Sequence, residues 1–426
     1  MNKPVLDIND FPSKTQLITL SFQHMFAMFG STILVPQLVG LSPAIALLTS
    51  GIATIIFLFI TQFKVPAYLG SSFAFITPIL IATNFGENPG NAMIGAMAVG
   101  VTYSLVALVI WKAGYKWLMR LLPPIVVGPV IMVIGLGLSG TAVNMAMNVN
   151  DKYSFIHFTA ALVTLFSAII FTVYFKNILS AMPILLGLII GYIYSAIIGI
   201  IDYTPVKEAK WFAMPDFLFP GVHYEFNITS TVLLAMVPIV LVTISEHIGH
   251  QLVLGKVVNR NYIKDPGLHR SIFADGFGTF ISAFLGGPPK TTYGENIGVL
   301  AITRVYSVYV IFGAAVLAIL FAFFGKAMAL IQTIPTAVLG GISILLFGII
   351  ASSGLRMLVE NNIDFGKNRN LVISSVILVI GIGGAALRFS ETFAIEGMAL
   401  AAIVGVILNL ILPGREIVQD EDDKIS

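Results

Sequence analysis

The sequence predicts an all-α polytopic membrane protein. Of its 426 residues, 57% are hydrophobic and 10% are charged, and the mean hydropathy is +0.94. A soluble domain usually has about one quarter of its residues charged. Apolar runs recur along the whole chain, and two of them are broken by glycine, proline and polar residues at matching places in the two halves. These observations predict helical segments embedded in membrane lipid and arranged as two related halves.

Composition and spacing also exclude several functions. The net charge of +2 implies no nucleic-acid partner, and the absence of cysteine excludes disulfides, thiolate metal sites and cysteine nucleophiles. The six histidines lack metal-binding spacing, so we expect no metal site, no cofactor and no catalytic set. The N-terminal residues lack the charged, apolar and small-residue pattern of a cleavable signal peptide.

Fourteen apolar segments can be counted, seven in each half of the chain. Those of the first half are 17–36, 43–60, a third that begins near Val65, 93–111, 124–140, 155–175 and 182–201. A polar segment at 202–227 separates them from 228–254, 271–285, 291–300, 305–324, 327–350, 371–387 and 394–412. The third and tenth segments are too interrupted to be uniform helices. Closely spaced glycines in the fifth segment, Gly128, Gly135 and Gly137, suit tight helix packing.

The distribution of basic residues predicts that both termini are cytoplasmic. With an even number of segments, most of the 23 lysines and arginines fall in links on the inner side, as the positive-inside rule requires. Lys290 is one of the few that this arrangement assigns to the outer side. We therefore expect a multi-pass protein of the cell membrane.

Short polar strings recur in the two halves. Residues 21–24 of the first segment resemble residues 244–247 of the eighth, and residues 71–73 of the third resemble residues 291–293 of the tenth. Seven segments is an odd number, so two such halves would insert with opposite orientation. Interrupted segments at matching positions of an inverted repeat indicate a transporter's binding site. The alternative is a chance match of short strings.

The stretch 288–298 around Glu295 is the strongest candidate for a site. It combines proline, glycine, lysine and a carboxylate between two apolar segments. Ionisable residues at membrane depth are costly, and irregular backbone there is tolerated where it lines a cavity or packs against protein. The stretch therefore predicts a substrate site within the membrane. The alternative is a short loop outside the membrane with a solvated glutamate.

The eighth segment holds a second carboxylate among apolar residues. Glu246 and His250 are four residues apart, so they lie on one helical face and can contact each other. A carboxylate and a neighbouring imidazole can share or relay a proton, which suits coupling of substrate binding to a proton. His247 points to another side of the helix and is interpreted as a packing or hydrogen-bonding residue. The alternative for the whole cluster is a polar network that fixes helix packing.

The interrupted segments offer further groups for a planar ligand. The irregular backbone at 71–75 and 291–295 leaves N–H and C=O groups free of a helical ladder. Phe73 and Tyr293 supply flat faces on which a ring can stack. Two carboxylates facing one cavity, Glu246 and Glu295, can accept hydrogen bonds from the N–H groups of such a ligand.

These residues resemble the nucleobase–ascorbate transporter family. Residues 295–304, from Glu295-Asn296 through Gly298 to Thr303-Arg304, are similar to its signature E/Q-N-x-G-x4-T-R. The strings at 23–24, 70–75, 246–250 and 265–270 also resemble that family, and the likeness covers nearly the whole chain.

The resemblance implies an inverted 7+7 fold of fourteen segments with short β-strands interrupting segments 3 and 10. A core domain would comprise residues 1–120 and 228–324, and a gate domain residues 121–227 and 325–415, followed by a cytoplasmic tail at 416–426. It further implies movement of the core against the gate in an elevator-type mechanism, in a homodimer.

The resemblance also assigns roles to residues. Glu246 and Glu295 would bind the polar edge of the substrate ring, the backbone at Phe73 and Gly294 would contact its carbonyl oxygens, and Tyr293 would shape the pocket. His250 would assist Glu246 in proton coupling. Supporting residues would be Gln23, His24, Ser72 and Asn296.

The function implied is uracil:proton symport across the cytoplasmic membrane, with the proton as coupling ion. The alternative within the family is a xanthine or purine carrier, in which glutamine often replaces the residue equivalent to Glu295. A passive channel or anion exchanger on the same fold is a second alternative, and a membrane enzyme using the two carboxylates is a third. Phe347 stands where uracil-type relatives can carry tyrosine.

Overall fold

A computed structural model describes residues 4–83, 88–176, 179–390 and 393–414. Over these residues the chain is mostly helical. The predicted cytoplasmic tail lies outside the described residues.

The first half contains ten α-helices and three short strands within the described ranges. The helices are α1 (Lys14–Leu38), α2 (Pro43–Ile60), α3 (Ile76–Ala82), α4 (Pro89–Ala113), α5 (Lys116–Leu121), α6 (Pro124–Gly137), α7 (Ser139–Met147), α8 (Phe155–Val173), α9 (Pro183–Ile197) and α10 (Thr204–Glu208). The strands are β1 (Leu69–Ser71), β2 (Asn148–Val149) and β3 (Lys152–Tyr153). Proline begins α2, α4, α6 and α9, where its missing N–H would have no helical partner in any case.

The second half contains nine α-helices and three strands in the part that the structure describes. The helices are α11 (Ser230–Met236), α12 (Ile239–Val258), α13 (Leu268–Phe284), α14 (Gly294–Thr303), α15 (Val308–Ala322), α16 (Gly325–Gln332), α17 (Thr336–Glu360), α18 (Asn368–Ile382) and α19 (Gly397–Ile411). The strands are β4 (Lys290–Thr292), β5 (Ala386–Ser390) and β6 (Phe393–Glu396). Strands β2 and β3 form one antiparallel hairpin, and β5 and β6 form another.

Seven spans in the described ranges are long and apolar enough to cross a membrane, or eight if α15 and α16, bent by 84° at their junction, form one broken span. Shorter apolar helices of 10–17 residues accompany them. The count of fourteen segments stays a prediction.

Several segment boundaries differ from those expected. The predicted segment 327–350 begins inside α16 and ends inside α17, because the chain breaks after Gln332 and Pro335 occupies the N-cap of α17. The predicted segment 371–387 runs past the end of α18 into strand β5, and 394–412 begins in strand β6. These boundaries are wrong because apolar composition alone does not separate a helix from an apolar strand that adjoins it.

Short strands and half-helices form the third and tenth segments. Strand β1 is followed by a 3₁₀ turn, Phe73–Phe75, that leads into α3. Strand β4 is followed by α14, which begins at Gly294. The two strands pair antiparallel, with Leu69 opposite Thr292 and Ser71 opposite Lys290. We call this pair of strands, β1 and β4, the strand crossing. Each half-helix therefore starts where its strand leaves the strand crossing.

The outer edges of the strand crossing are satisfied by hydroxyl groups of adjacent helices. Thr54 Oγ1 on α2 accepts from the Leu69 N–H at 2.9 Å, and the Ser50 hydroxyl on α2 donates to the Leu69 carbonyl. Thr279 Oγ1 on α13 accepts from the Lys290 N–H at 3.0 Å and donates to the Lys290 carbonyl at 3.1 Å. A buried strand edge needs such partners, because unpaired backbone groups in the interior are costly.

The helices pack in two groups. In the first group, α13 packs against α4 and α2, and α15 packs against α2 and α1; of these helices, α1, α2 and α13 contact the strands of the crossing. Helix α17 packs against α6, α7 and α8, α9 packs against α8, and α18 lies between α6 and α19.

Glycines allow close contact within the second group. A Cβ atom on Gly128 would lie 3.0 Å from the Gly354 carbonyl oxygen, and one on Gly135 would lie 2.2 Å from that of Phe347. The prediction of tight packing at Gly128 and Gly135 is thus confirmed, whereas Gly137 is only loosely approached, with its nearest neighbour atom at 3.9 Å.

Candidate functional site

Two half-helices begin at the strand crossing. The Ser72 N–H donates to the Pro289 carbonyl at 3.0 Å, and the Tyr293 N–H donates to the Tyr68 carbonyl at 3.0 Å. These equivalent bonds relate Phe73 to Gly294, the residues at which the two half-helices begin. The first N–H groups of a helix have no partner within it and carry a partial positive charge. The crossing thus presents two sets of N–H donors suited to carbonyl oxygens or anionic groups.

Glu295 lies in the first turn of one of these half-helices. Its side chain is half-buried, and its Oε1 atom accepts a hydrogen bond of 2.9 Å from the Ser31 hydroxyl on α1. This bond fixes the carboxylate beside the start of α14, where a negative charge is favourable.

Glu246 brings a second carboxylate close to the first. It lies on α12 with 9% of its surface exposed, and Glu295 is near enough to act on it electrostatically. Among the described residues, no hydrogen-bond partner reaches its Oε2 atom. A buried carboxylate oxygen without a protein partner can accept a hydrogen bond from a ligand or from water.

The side chain of His250, a residue of α12, lies beside the start of α14. Its Nδ1 atom is 3.4 Å from Thr292 Oγ1, and its Nε2 atom would lie 3.0 Å from a Cβ atom on Gly294. The imidazole is therefore adjacent to the N-terminus of α14. This hydrogen bond joins the His250 ring to Thr292 of the strand crossing. The helical spacing instead suggests a contact between His250 and Glu246.

The two aromatic side chains of the site contact protein groups. The Tyr293 ring lies over Gly70, where an added Cβ atom would be 2.0 Å from the ring, and its hydroxyl donates to the Ser71 carbonyl at 3.2 Å. The Phe73 ring packs edge-on against Phe347 of α17, with ring centroids 5.9 Å apart and an interplanar angle of 79°. Tyr293 thus braces the crossing, and Phe73 connects it to the second helix group.

The four predicted supporting residues are buried. The Asn296 amide donates to the Pro66 carbonyl at 2.9 Å, and His24 lies beside Asn296. Within the described ranges, the Gln23 amide nitrogen and the Ser72 hydroxyl lack a hydrogen-bond partner. Such atoms need partners, so ordered water or a ligand is expected among them.

No group of three or more histidine, aspartate or glutamate residues in the described part of the chain could hold a metal ion.

Comparison with known proteins identifies the family. A model described as the permease family matches residues 15–388. The chain belongs to this family. The resemblance to nucleobase–ascorbate transporters drawn from the motifs is thereby confirmed.

The permease is similar to curated relatives over nearly its whole length. It is 65% identical to the uracil permease of Bacillus caldolyticus over 416 residues, covering 97% of this chain and 96% of the relative. It is 58% identical to the uracil permease of Bacillus subtilis (strain 168) over 414 residues, covering 96% and 95%. Because these relatives are named permeases and the helices are strongly apolar, the chain is an integral membrane transport protein and not an enzyme.

Solved structures show the fold. The transmembrane domain of a cyanobacterial bicarbonate transporter, BicA, superimposes with a TM-score of 0.64 at 13% identity, covering 94% of this chain and 99% of that domain. The permease therefore has a mostly helical polytopic fold similar to that of BicA. The likeness at this identity concerns the fold alone.

One buried histidine–aspartate hydrogen bond of the permease was missed by sequence reasoning. His247 Nδ1 is 2.8 Å from Asp275 Oδ2, its Nε2 is 2.9 Å from Ser271 Oγ, and all three residues are buried. The interpretation of His247 as a hydrogen-bonding residue is confirmed. The available signal was Asp275 itself, an ionisable residue inside the predicted segment 271–285.

Lys290 lies in the protein interior rather than in a solvated link, while the side of the membrane predicted for it stays a prediction. The distribution of basic residues assigns it to the outer side, but only 1% of it is exposed. Its Nζ atom donates to the Ala46 carbonyl at 3.0 Å and to Ser71 Oγ at 3.4 Å. The residue belongs to the strand crossing and not to a solvated link.

Proposed function

We propose that the permease is a uracil:proton symporter that imports uracil across the cytoplasmic membrane. The observation that carries this proposal is the 65% identity, over 97% of the chain, to a relative named uracil permease. The geometry of the candidate site agrees with the chemistry of that substrate.

Uracil presents two N–H donors and two carbonyl acceptors on a small planar ring. Glu246 and Glu295 offer carboxylate oxygens as acceptors, and the half-helices that begin at Phe73 and Gly294 offer N–H donors. The ring can lie between α12 and the strand crossing, with Tyr293 and the Phe73–Phe347 contact bounding the space. A site of this kind recognises a neutral ligand without a cationic side chain.

Proton coupling is assigned to Glu246 and His250. Glu246 is a buried carboxylate whose Oε2 atom has no hydrogen-bond partner in the described ranges, so binding a proton there removes the cost of burying a charge. His250 sits next to Gly294 and can exchange a proton with groups on α12 or with bound substrate. Symport requires that proton and substrate together favour the moving state. No further cofactor is needed.

Movement is proposed to be of the elevator type in a fold of fourteen segments and two inverted repeats of seven. The core domain (1–120 and 228–324) would carry the strand crossing, and the gate domain (121–227 and 325–415) would stay fixed in a homodimer. The two helix groups support this division, because the helices around the crossing belong to the core ranges and those around α17 to the gate ranges. Both termini would lie in the cytoplasm.

Radiolabelled uracil uptake into proteoliposomes tests the proposal. Wild-type protein should concentrate uracil under an inward proton gradient, and Glu295→Gln should lose binding. Glu246→Gln should bind uracil but no longer concentrate it, because the neutral amide keeps hydrogen-bonding atoms and cannot carry the proton. Uptake by wild type that ignores the gradient would refute symport. Preferential competition by unlabelled xanthine would instead indicate a purine carrier.

A further inference from the structure

Lys290 is a buried amine side chain that the proposed transport cycle does not use. It is among the largest fully buried side chains, with 1% exposure. Over the described ranges, no ion pair joins its side-chain amine to a carboxylate. Burying an amine is costly unless its contacts offset that cost. The contacts of Lys290 therefore indicate its role.

The Nζ atom of Lys290 links helix α2 to strand β1. It donates to the Ala46 carbonyl and to Ser71 Oγ, at 3.0 and 3.4 Å. The backbone of Lys290 is held separately by the Thr279 hydroxyl on α13. The Lys290 side chain thus joins α2 to β1, whereas Thr279 holds the backbone of its own strand, β4.

Ser71 connects the side-chain amine of Lys290 to the candidate site. Its carbonyl accepts from the Tyr293 hydroxyl at 3.2 Å, and its hydroxyl donates to the Thr32 carbonyl at 3.3 Å. The preceding residue of α1, Ser31, donates to Glu295. Two residues after Ser71, the first half-helix begins. A displaced Ser71 would therefore move groups on both sides of the site.

The equivalent position of the other strand is apolar. The two equivalent backbone hydrogen bonds, from Ser72 to Pro289 and from Tyr293 to Tyr68, give Leu69 of β1 and Lys290 of β4 equivalent positions in their strands. Both side chains are buried. Leu69 shows that this strand position can be filled without a polar group. Packing alone does not require a lysine there.

We propose that Lys290 is a positioning residue for substrate binding, whose side-chain amine holds Ser71 and thereby the Tyr293 ring and the start of the half-helix at Phe73. This inference rests on the proposed function, because the substrate bound between these groups is taken to be uracil.

Three variants test the inference. Lys290→Met keeps the length of the side chain and removes its hydrogen-bond donors, while Lys290→Gln restores a donor. Leu69→Met is the matched control, because it changes the equivalent buried position without touching the link. The dissociation constant for radiolabelled uracil is measured on the purified full chain, followed by KM and kcat of uptake in proteoliposomes and the melting temperature of each variant.

We expect Lys290→Met to raise Kd and KM by about fivefold or more, the value of one lost hydrogen bond between neutral groups. The kcat value should change less, because the link acts on binding geometry. Lys290→Gln should recover part of the affinity, and Leu69→Met should bind like wild type. If Lys290→Met does not fold, a Kd for Lys290→Gln raised above that of Leu69→Met still supports the inference, and an equal Kd overturns it.

A double-variant cycle tests the path through Tyr293. If Lys290 acts through Ser71 and Tyr293, then Lys290→Met should cost less affinity in a Tyr293→Phe background than in wild type. Additive effects would overturn the path. A lower melting temperature with unchanged Kd would show a structural role only and also overturn it. If the wild type does not bind uracil, the proposed function is contradicted. If the wild type binds uracil and the Kd of Lys290→Met equals that of wild type, only the present inference is refuted.

Discussion

Replacing Gly294 by alanine should weaken substrate binding while leaving the fold intact. Gly294 is the first residue of α14, and a Cβ atom there would lie 3.0 Å from His250 Nε2 and 3.7 Å from two carbons of the same ring. Its φ is outside the left-handed region, so the alanine backbone is unstrained. The contact is nevertheless too tight, and the imidazole must move by a few tenths of an ångström.

The magnitude follows from the position of this contact. Overpacking a well-filled site costs about 1–3 kcal/mol. We expect the imidazole to relieve this contact by moving into the space proposed for the substrate. Bound substrate would then force the ring back against the new Cβ atom, so the cost falls on the bound state and affinity drops about five- to 150-fold. The displaced ring also loses its bond of 3.4 Å with Thr292. Uptake at subsaturating uracil should fall by a similar factor.

Gly298→Ala is the matched control in the same helix. Among the described residues, no neighbouring atom lies within 4 Å of a Cβ atom at Gly298, so the alanine enters open space. Alanine favours a helix over glycine by about 1 kcal/mol, so this variant should be as stable as wild type or more stable. Its Kd for uracil should not change.

Equilibrium binding of radiolabelled uracil to both purified variants decides the matter, with melting temperatures measured in parallel. A wild-type Kd for Gly294→Ala would refute the placement of the site at the start of α14. An equal loss of affinity in Gly298→Ala would refute the steric argument, because the effect would then come from the altered helix.

Three further predictions concern single contacts. Thr279→Val should lower the melting temperature, because two backbone groups of strand β4 lose their partner at about 1–3 kcal/mol each; Thr102→Val, whose hydroxyl bonds within its own helix, should lower it far less. Ser31→Ala should raise the Kd for uracil about fivefold, the value of one hydrogen bond of about 1 kcal/mol to Glu295, and an unchanged Kd would contradict a binding role for that carboxylate. Phe347→Ala should destabilise the protein by about 3–5 kcal/mol in thermal or denaturant unfolding, since a buried ring that contacts the half-helix is lost, and a stability equal to that of Phe347→Leu would contradict this contact.

The sequence predicts which segments are interrupted because glycine, proline and clustered hydroxyl residues disfavour a uniform helix in lipid. It does not predict the register that results. Residue similarity matches 71–73 with 291–293, whereas backbone hydrogen bonds relate Phe73 to Gly294. A phenylalanine and a glycine occupy equivalent places because each contributes its backbone, which similarity of side chains cannot reveal.

Charged residues in the interior are the least predictable part of the site. Asp275 and its partner His247 lie on different helices, so their contact depends on how α12 and α13 pack. Lys290 is assigned to the outer side because counting basic residues treats a lysine at the end of a segment as solvated. Its acceptors, Ala46 and Ser71, come from distant parts of the chain.

The strand crossing has a consequence for the order of folding. Each of its strands has three residues, too few to fix their own register, and a slip of one residue would turn every side chain to the opposite face. The register is instead held by Thr54 on α2 and Thr279 on α13. Both helices must therefore be in place before the crossing can close correctly. The newly inserted chain is expected to acquire its binding site late, after the surrounding helices have assembled.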